Sequence, residues 1–501
     1  MFQYFQKVRN SKFRDAIWPI RSGELRKFIP MAILMFAVNL NLNFLRTMKD
    51  SIVTTFMGAE VISFIKIWFE IPSGVLFVLI YAGMCNIMST ERAFRIILMV
   101  FLIFFAAFAF ILFPYKEYFH PDPESVASYM VILPNLKWFI TIWGKWSFVL
   151  FYVMAELWPV VVLGLLWQLA NKITSTEEAK RFYSFFTFFG QLNLLVCGSA
   201  IGYFASGNHI FKSLFQNAGS TTEVTVKSIM LVVLFSGVIT LFTHLYVEKK
   251  TMKLDSSARK IVKRQKLKLG MIDSMKMILS SKYLGLICIL MISYSVAAIL
   301  LEGIWFAKVR QLYPVAEQFM AYQGKFMFFT GISALIFALL GSSIIRKLGW
   351  IFGSIITPVV TLIAGSSFFV FVIIQDSLES IFSDSLGLAA LPIIVFCGGI
   401  QNVFMKGAKY TLFDATKEMS YIPLDPEIKT KGQAAVDVVG PKIGKAIGAI
   451  VPFLSFTIFP SSGYQDIAGF LLLIFASTCI IWISAVVLLS REYYALLESK
   501  E

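Results

Sequence analysis

Four stretches of the chain set charged or amide side chains inside long apolar runs. The first reads Asn39-Leu-Asn41-Leu-Asn43-Phe-Leu-Arg46-Thr-Met-Lys49-Asp50. Spacings of four, three and four put Asn39, Asn43, Arg46 and Asp50 on one helical stripe, with Lys49 about 60° away. Such a face is wet and rich in donors; the plainer alternative is an Arg46–Asp50 pair with Lys49 snorkelling outward. The second stretch, Ala155-Glu156-Leu157-Trp158-Pro159, holds a carboxylate with no base at i±3 or i±4. Its proline opens the helix hydrogen bonding nearby, so Glu156 needs a partner from another helix, or a proton. The third places Glu302 before Gly303-Ile304-Trp305, readable as a site acid or as an interfacial acid beside an anchoring Trp. The fourth, Gly440-Pro441-Lys442-Ile443-Gly444-Lys445-Ala446-Ile447-Gly448, carries Lys445 near mid-segment beside a small-residue stripe suited to close helix packing. Asn193 lies at the equivalent depth in an earlier segment. A charge at mid-bilayer costs ~2.5–3.5 kcal/mol even on the gentlest scale, so such residues face a wet cavity or each other. Two deep lysines with Arg46 suit a multiply charged anion, because Lys is a compact donor to phosphate and acts strongly in a low-dielectric cavity.

The elements that must position these groups follow from composition. Of 501 residues, 57% are hydrophobic and only 15% charged, with 50 Phe. A soluble chain of this length carries about a quarter charged residues, so a soluble enzyme, a secreted disulfide scaffold and a disordered chain are excluded. The expectation is an all-α polytopic membrane protein. Runs of about 20 apolar residues fall at 28–57, 61–87, 92–114, 142–171, 179–205, 228–247, 283–306, 321–345, 350–375, 386–413, 433–459 and 465–490. These twelve runs are too long for the short alternating strands of a β-barrel.

Five scattered cysteines (Cys85, Cys197, Cys288, Cys397, Cys479) form neither a disulfide framework nor a metal clamp. His120, His209 and His244 lie far apart, so no metal site is expected. Gly440-…-Gly444-Lys445 resembles a P-loop fragment, but Val439 and Ala446 stand where the motif needs Gly and Ser/Thr. No catalytic constellation argues for an enzyme, and no cofactor is expected.

The net charge of +15 concentrates before the first segment and in 248–282, which includes Lys263, Arg264, Lys266 and Lys268. The positive-inside rule makes that side cytoplasmic, with both termini there. The basic surplus therefore reads as topology and contact with anionic lipid rather than nucleic acid. Residues 1–27, with Asp15 and Glu24, lack an apolar signal-peptide region, so the first segment is expected to act as an uncleaved anchor. The expected organisation is a tail (1–27), a six-helix bundle (28–247), a basic linker (248–282), a second six-helix bundle (283–490) and a tail (491–501). Two parallel six-helix halves are the plan of major-facilitator-type transporters.

At these residues the chain resembles the bacterial and plastid ATP/ADP translocase family. The matching stretches are Leu45-Arg-x-x-Lys49-Asp50, Ala155-Glu156-Leu157-Trp158, Ala170-Asn171-x-Ile173-Thr174 and Tyr410-x-x-Phe413-Asp414-x-Thr416-Lys417-Glu418-Met419-x-Tyr421-Ile422-Pro423-Leu424-Asp425. The last is highly specific, and the likeness runs from about residue 25 to 495. The Phe, Ile and Lys bias suits an A+T-rich, Rickettsia-like genome. The family pattern departs at Phe306, Gln433 and Gln191-Leu192-Asn193.

The resemblance implies an antiporter in a bacterial inner membrane that imports host ATP in exchange for ADP, with no obligate protein partner. It implies that Lys49, Glu156, Glu302 and Lys445 serve transport, the lysines as phosphate contacts. Arg46 joins that site, Asn193 is the candidate for the base, and Asp414, Lys417 and Glu418 border an expected cytoplasmic gate. The alternatives are a paralogue exchanging GTP/GDP or pyrimidine nucleotides, and a proton-coupled symporter of another organic anion with Glu156 or Glu302 as proton carrier.

Overall fold

The structure, a computed structural model, describes residues 20, 22–174, 176–215, 218–251, 271–386 and 389–498. The N-terminal tail through residue 19, the centre of the basic linker at 252–270 and the last three residues lie outside the described residues.

In chain order the long helices are α1 (Leu25–Met57), α2 (Val61–Ile87), α3 (Thr90–Leu112), α4 (Trp146–Trp158, continuing as Gly164–Ile173), α5 (Thr176–Ala205) and α6 (Thr221–Lys249). After the linker come α7 (Lys282–Leu312), α8 (316–346), α9 (Lys347–Ile373), α10 (Ala390–Ser420), α11 (Pro426–Ile458) and α12 (Ala468–Glu498). Gly349, at φ 86°, breaks the otherwise continuous run of α8 and α9, a backbone region that favours glycine.

Among the described residues eight helices are long and apolar enough to cross a membrane. Pro134–Gly144 with Trp146–Trp158, bent by 75°, makes a ninth if counted as one span. α5, α8 and α11 occupy the remaining positions expected from sequence and stand outside that count. Large side chains such as Leu79, Ile103, Phe235, Ile363 and Leu473 point outward. A water-soluble monomer rarely exposes so much apolar surface, whereas hydrocarbon solvates it.

Serine caps start several helices: Ser89, Ser220 and Ser281 each accept a backbone N–H one turn on, satisfying a donor that the helix leaves open. Close packing uses the expected small residues. A Cβ on Gly198 of α5 would lie 2.6 Å from the Gly324 carbonyl of α8, so these backbones touch. Gly440, Gly444 and Gly448 of α11 face Met291, Ile292 and Ile299 of α7. The small-residue stripe is thus a packing face, as its spacing predicts.

α1, α7 and α11 end together at what we term the far end, where Gly58 lies against Arg310 and Trp138 meets Phe456. Here the helices before residue 252 (the N-terminal set) close on those after 270 (the C-terminal set). Lys137 donates to the Pro460 carbonyl at 3.3 Å, Thr222 bonds Glu317, and Phe64 packs on Phe453 with centroids 4.8 Å apart. The opposite, terminal end carries Leu25, Lys282 and Glu498.

His120, in the far-end loop after α3, shares a 2.6 Å hydrogen bond with Ser147 and packs edge-on to Phe148. Burial, then the charges of Lys145 and Lys116, hold its pKa down to about 4. The unfolded chain protonates it near the ordinary value of about 6.5. Between those values the unfolded state binds more protons, so stability falls as pH drops from 6.5 toward 4. Thermal unfolding in detergent should show that decline, and His120→Gln should flatten it; equal slopes in both proteins would remove His120 as the cause.

Candidate functional site

The deep charges converge midway along the bundle. On α1, Arg46, Lys49 and Asp50 lie within little more than one turn, so they fan toward different neighbours. Lys49 is buried, at 3% exposure. Its Nζ lies 2.5 Å from Asp50 Oδ1, 3.0 Å from Glu156 Oε1 of α4 and 3.9 Å from the centroid of Tyr152. Glu156 therefore has the partner from another helix that its sequence context requires, and Lys49 does not snorkel. A π-helical turn at Pro159–Leu163 follows Glu156; such turns recur where a helix interior is adapted to function.

Arg46 does not pair with Asp50 but with Glu302 of α7, at 3.8 Å. Glu302 Oε1 also accepts from Lys406 of α10 at 3.0 Å, and Lys406 sits 4.9 Å from the Phe326 ring centroid. Glu302 thus lies between two cations. Lys308 lies elsewhere, its Nζ held by Gln311, Gln375 and Gln465. Lys445 is 54% exposed, and its Nζ lies 3.8 Å from Glu70 Oε1 of α2. Because Gly444 is pressed against the Ile292 backbone, the next residue turns about 100° off that contact, into open space.

Lys66 and Glu70, which the sequence reading missed, bound a π-helical turn of α2. Lys66 stands four residues before Glu70, about one turn along, so the two share a face of α2. Lys409, one turn past Lys406, is occupied by Asp414 at 3.0 Å.

Asn193 and the residues expected at the cytoplasmic gate have partners within their own sets of helices. Asn193 is fully buried: its Nδ2 donates to the Phe36 carbonyl at 2.8 Å and its Oδ1 accepts from Cys197 Sγ at 3.0 Å. It joins α5 to α1. Among the described residues, Asp414, Lys417 and Glu418 make their hydrogen bonds and ion pairs within the C-terminal set. Lys417 binds Asp437 and Glu418, each at 2.8 Å, and Gln433 donates to Glu418 at 2.7 Å. Lys417 and Glu418 thus fasten α10 to α11, while Asp414 pairs with Lys409 within α10.

The central ring therefore pairs Arg46, Lys49, Lys406 and Lys445 with Asp50, Glu70, Glu156 and Glu302, and Lys66, one turn before Glu70, adds one net positive charge. Its pairs fall into two classes. Those within one set of helices span 2.5–3.0 Å; the two that join the sets, Arg46–Glu302 and Lys445–Glu70, are each 3.8 Å. Chemically this is a cationic cluster with internal counter-charges, suited to a polyanion. Among the described residues no cluster of three or more His, Cys, Asp and Glu is placed to bind a metal.

Solved structures share the architecture. The nucleoside transporter NupG superposes with a TM-score of 0.55 at 13% identity, covering 94% of this chain and 98% of that one. An inward-facing bacterial homologue of the iron transporter ferroportin gives 0.59 at 11% identity, covering 94% and 100%. At such identities the likeness shows the fold, which is that of major-facilitator-type transporters. Sequence relatives lie much nearer. ADP,ATP carrier protein 1 of Rickettsia conorii is 43% identical over 500 residues, and 98% of each chain is covered. ADP,ATP carrier protein 3 of Rickettsia prowazekii is 39% identical over 498 residues, covering 98% of this chain and 99% of that one. The model of the TLC ATP/ADP transporter family matches residues 5–493, and the chain belongs to that family.

Proposed function

We propose that this protein is an antiporter that imports ATP in exchange for ADP by alternating access at the central ring. The two classes of ion pair carry the reading. Alternating access needs two bodies that keep their shape while the seam between them is remade. Short pairs brace α1 to α4 and α7 to α10, while the pairs across the seam are the long ones. A polyphosphate can draw Lys445 from Glu70 and Arg46 from Glu302 with little loss, and the carboxylates reclaim them when it leaves. Lys49, fixed by Glu156 and Asp50, forms the firm wall of the site. Asp414, Lys417 and Glu418 move with the α10–α11 edge of the inner gate.

The far end is shut, and Arg46 and Lys445 are about half exposed, so this form opens toward the terminal end. We place that end in the cytoplasm of a bacterium, at its inner membrane, because the basic flanks lie there. An empty ring with net positive charge crosses the membrane poorly, which couples each inward step to an outward one. ATP carries about one more negative charge than ADP, so a potential negative inside opposes its entry by ~2.3 kcal/mol per 100 mV. Net import then rests on a higher ATP/ADP ratio outside.

Purified protein in liposomes loaded with ADP should take up labelled ATP without any second protein, and liposomes lacking nucleotide should take up little. Uptake indifferent to the internal nucleotide would overturn the exchange reading.

A further inference from the structure

Each cation of the ring except one already has a carboxylate within 4 Å. Lys49 has two, Lys406 and Arg46 share Glu302, and Lys445 has Glu70. Lys66 has neither a hydrogen bond nor an ion pair among the described residues. Its side chain is half-buried in the π-helical turn of α2, one turn before Glu70 and on the same face. It is therefore the source of the ring's net positive charge.

We propose that Lys66 is the capture residue of the transport site, the cation that first binds the nucleotide's phosphates because it need not break a pair to do so. This rests on the exchange reading above and adds an order to it. Lys49 must leave partners at 2.5 and 3.0 Å and Lys406 one at 3.0 Å, whereas Lys445 and Arg46 are held at 3.8 Å. An incoming polyphosphate thus meets Lys66 first, then draws Lys445 and Arg46 across the seam, and leaves Lys49 and Lys406 bracing their own sets. Glu70, four residues from Lys66, supports the sequence: its Oε2 is buried with no hydrogen-bond partner. The carboxylate that would release Lys445 is thus itself incompletely satisfied. The ligand class is set by the chemistry as a nucleoside polyphosphate, with affinity rising with the number of phosphates.

The test uses the purified full chain with ATP, ADP and adenosine as probes, read by ligand-dependent thermal stabilisation and by the KM of exchange. Lys66→Gln should weaken ATP binding about tenfold, which corresponds to ~1.4 kcal/mol. It should weaken ADP less and adenosine hardly at all, raise KM more than it lowers the maximal rate, and leave the melting point without ligand unchanged. Lys66→Arg should restore ATP affinity. ATP affinity within about twofold of wild type in Lys66→Gln would overturn the capture role alone. So would a lowered melting point without ligand in both variants, which marks a structural lysine. If the wild-type protein gains no stability from ATP or ADP, the exchange reading falls and the capture role with it.

Discussion

Lys49→Met should abolish nucleotide exchange and cost about 3–5 kcal/mol of stability, the usual consequence of removing one partner from a buried ion pair. The size follows from the surroundings. Lys49 is 3% exposed, and its loss leaves Asp50 and Glu156 facing each other with no cation at salt-bridge distance from Asp50. The two effects can be separated. Lys49→Met with Glu156→Gln keeps the local net charge and removes the carboxylate that the lysine satisfies across α1 and α4. It should recover the part of the lost stability that Glu156 accounts for, with Asp50 still unpaired, seen as a partly restored melting point in detergent, and none of the transport, seen as ATP uptake into ADP-loaded liposomes. A double variant that exchanges nucleotide normally would show that the pair is a brace only. Normal exchange by the single variant would remove Lys49 from the site.

The residues explain which parts of this arrangement could be read from sequence. Glu156 and Lys445 stood out because they sit deep in long apolar runs, and both prove to have partners on other helices. The glycine stripe of α11 was legible because spacing alone fixes one helix face. Lys406 was missed through a boundary. The apolar run stops at Phe413, but the helix continues to Ser420, which moves Lys406 from near the edge to near the middle. Lys66 and Glu70 were missed for the converse reason: they lie within about three turns of the start of α2, where charges ordinarily meet water. The direction in which Asn193 faces was not legible. Gly198 faces α8, and five residues at about 100° each turn Asn193 well away from that contact, toward α1. Depth in a span is readable from one sequence; the facing direction needs the neighbours.

Lys445→Ala should also stop exchange, by about 100-fold or more if two phosphate contacts of ~1.4 kcal/mol each are lost, but for a different reason and with a different stability signature. Its ammonium is half exposed and its carboxylate partner sits at 3.8 Å, so the pair belongs to the weak class worth about 0–1 kcal/mol. The folded protein should therefore survive with its melting point nearly intact, in contrast to Lys49→Met. If Glu70 competes with phosphate for this lysine, Glu70→Gln should act in the opposite direction on binding. With the competitor neutralised, ATP should bind more tightly and its KM should fall. The maximal rate should fall too, because nothing then draws Lys445 back across the seam when the nucleotide departs. Exchange kinetics on the two variants decide the matter. A Glu70→Gln protein with weaker ATP binding would mean that the carboxylate positions Lys445 for the phosphate instead of contesting it, and the role assigned to the long seam pairs would have to be reversed.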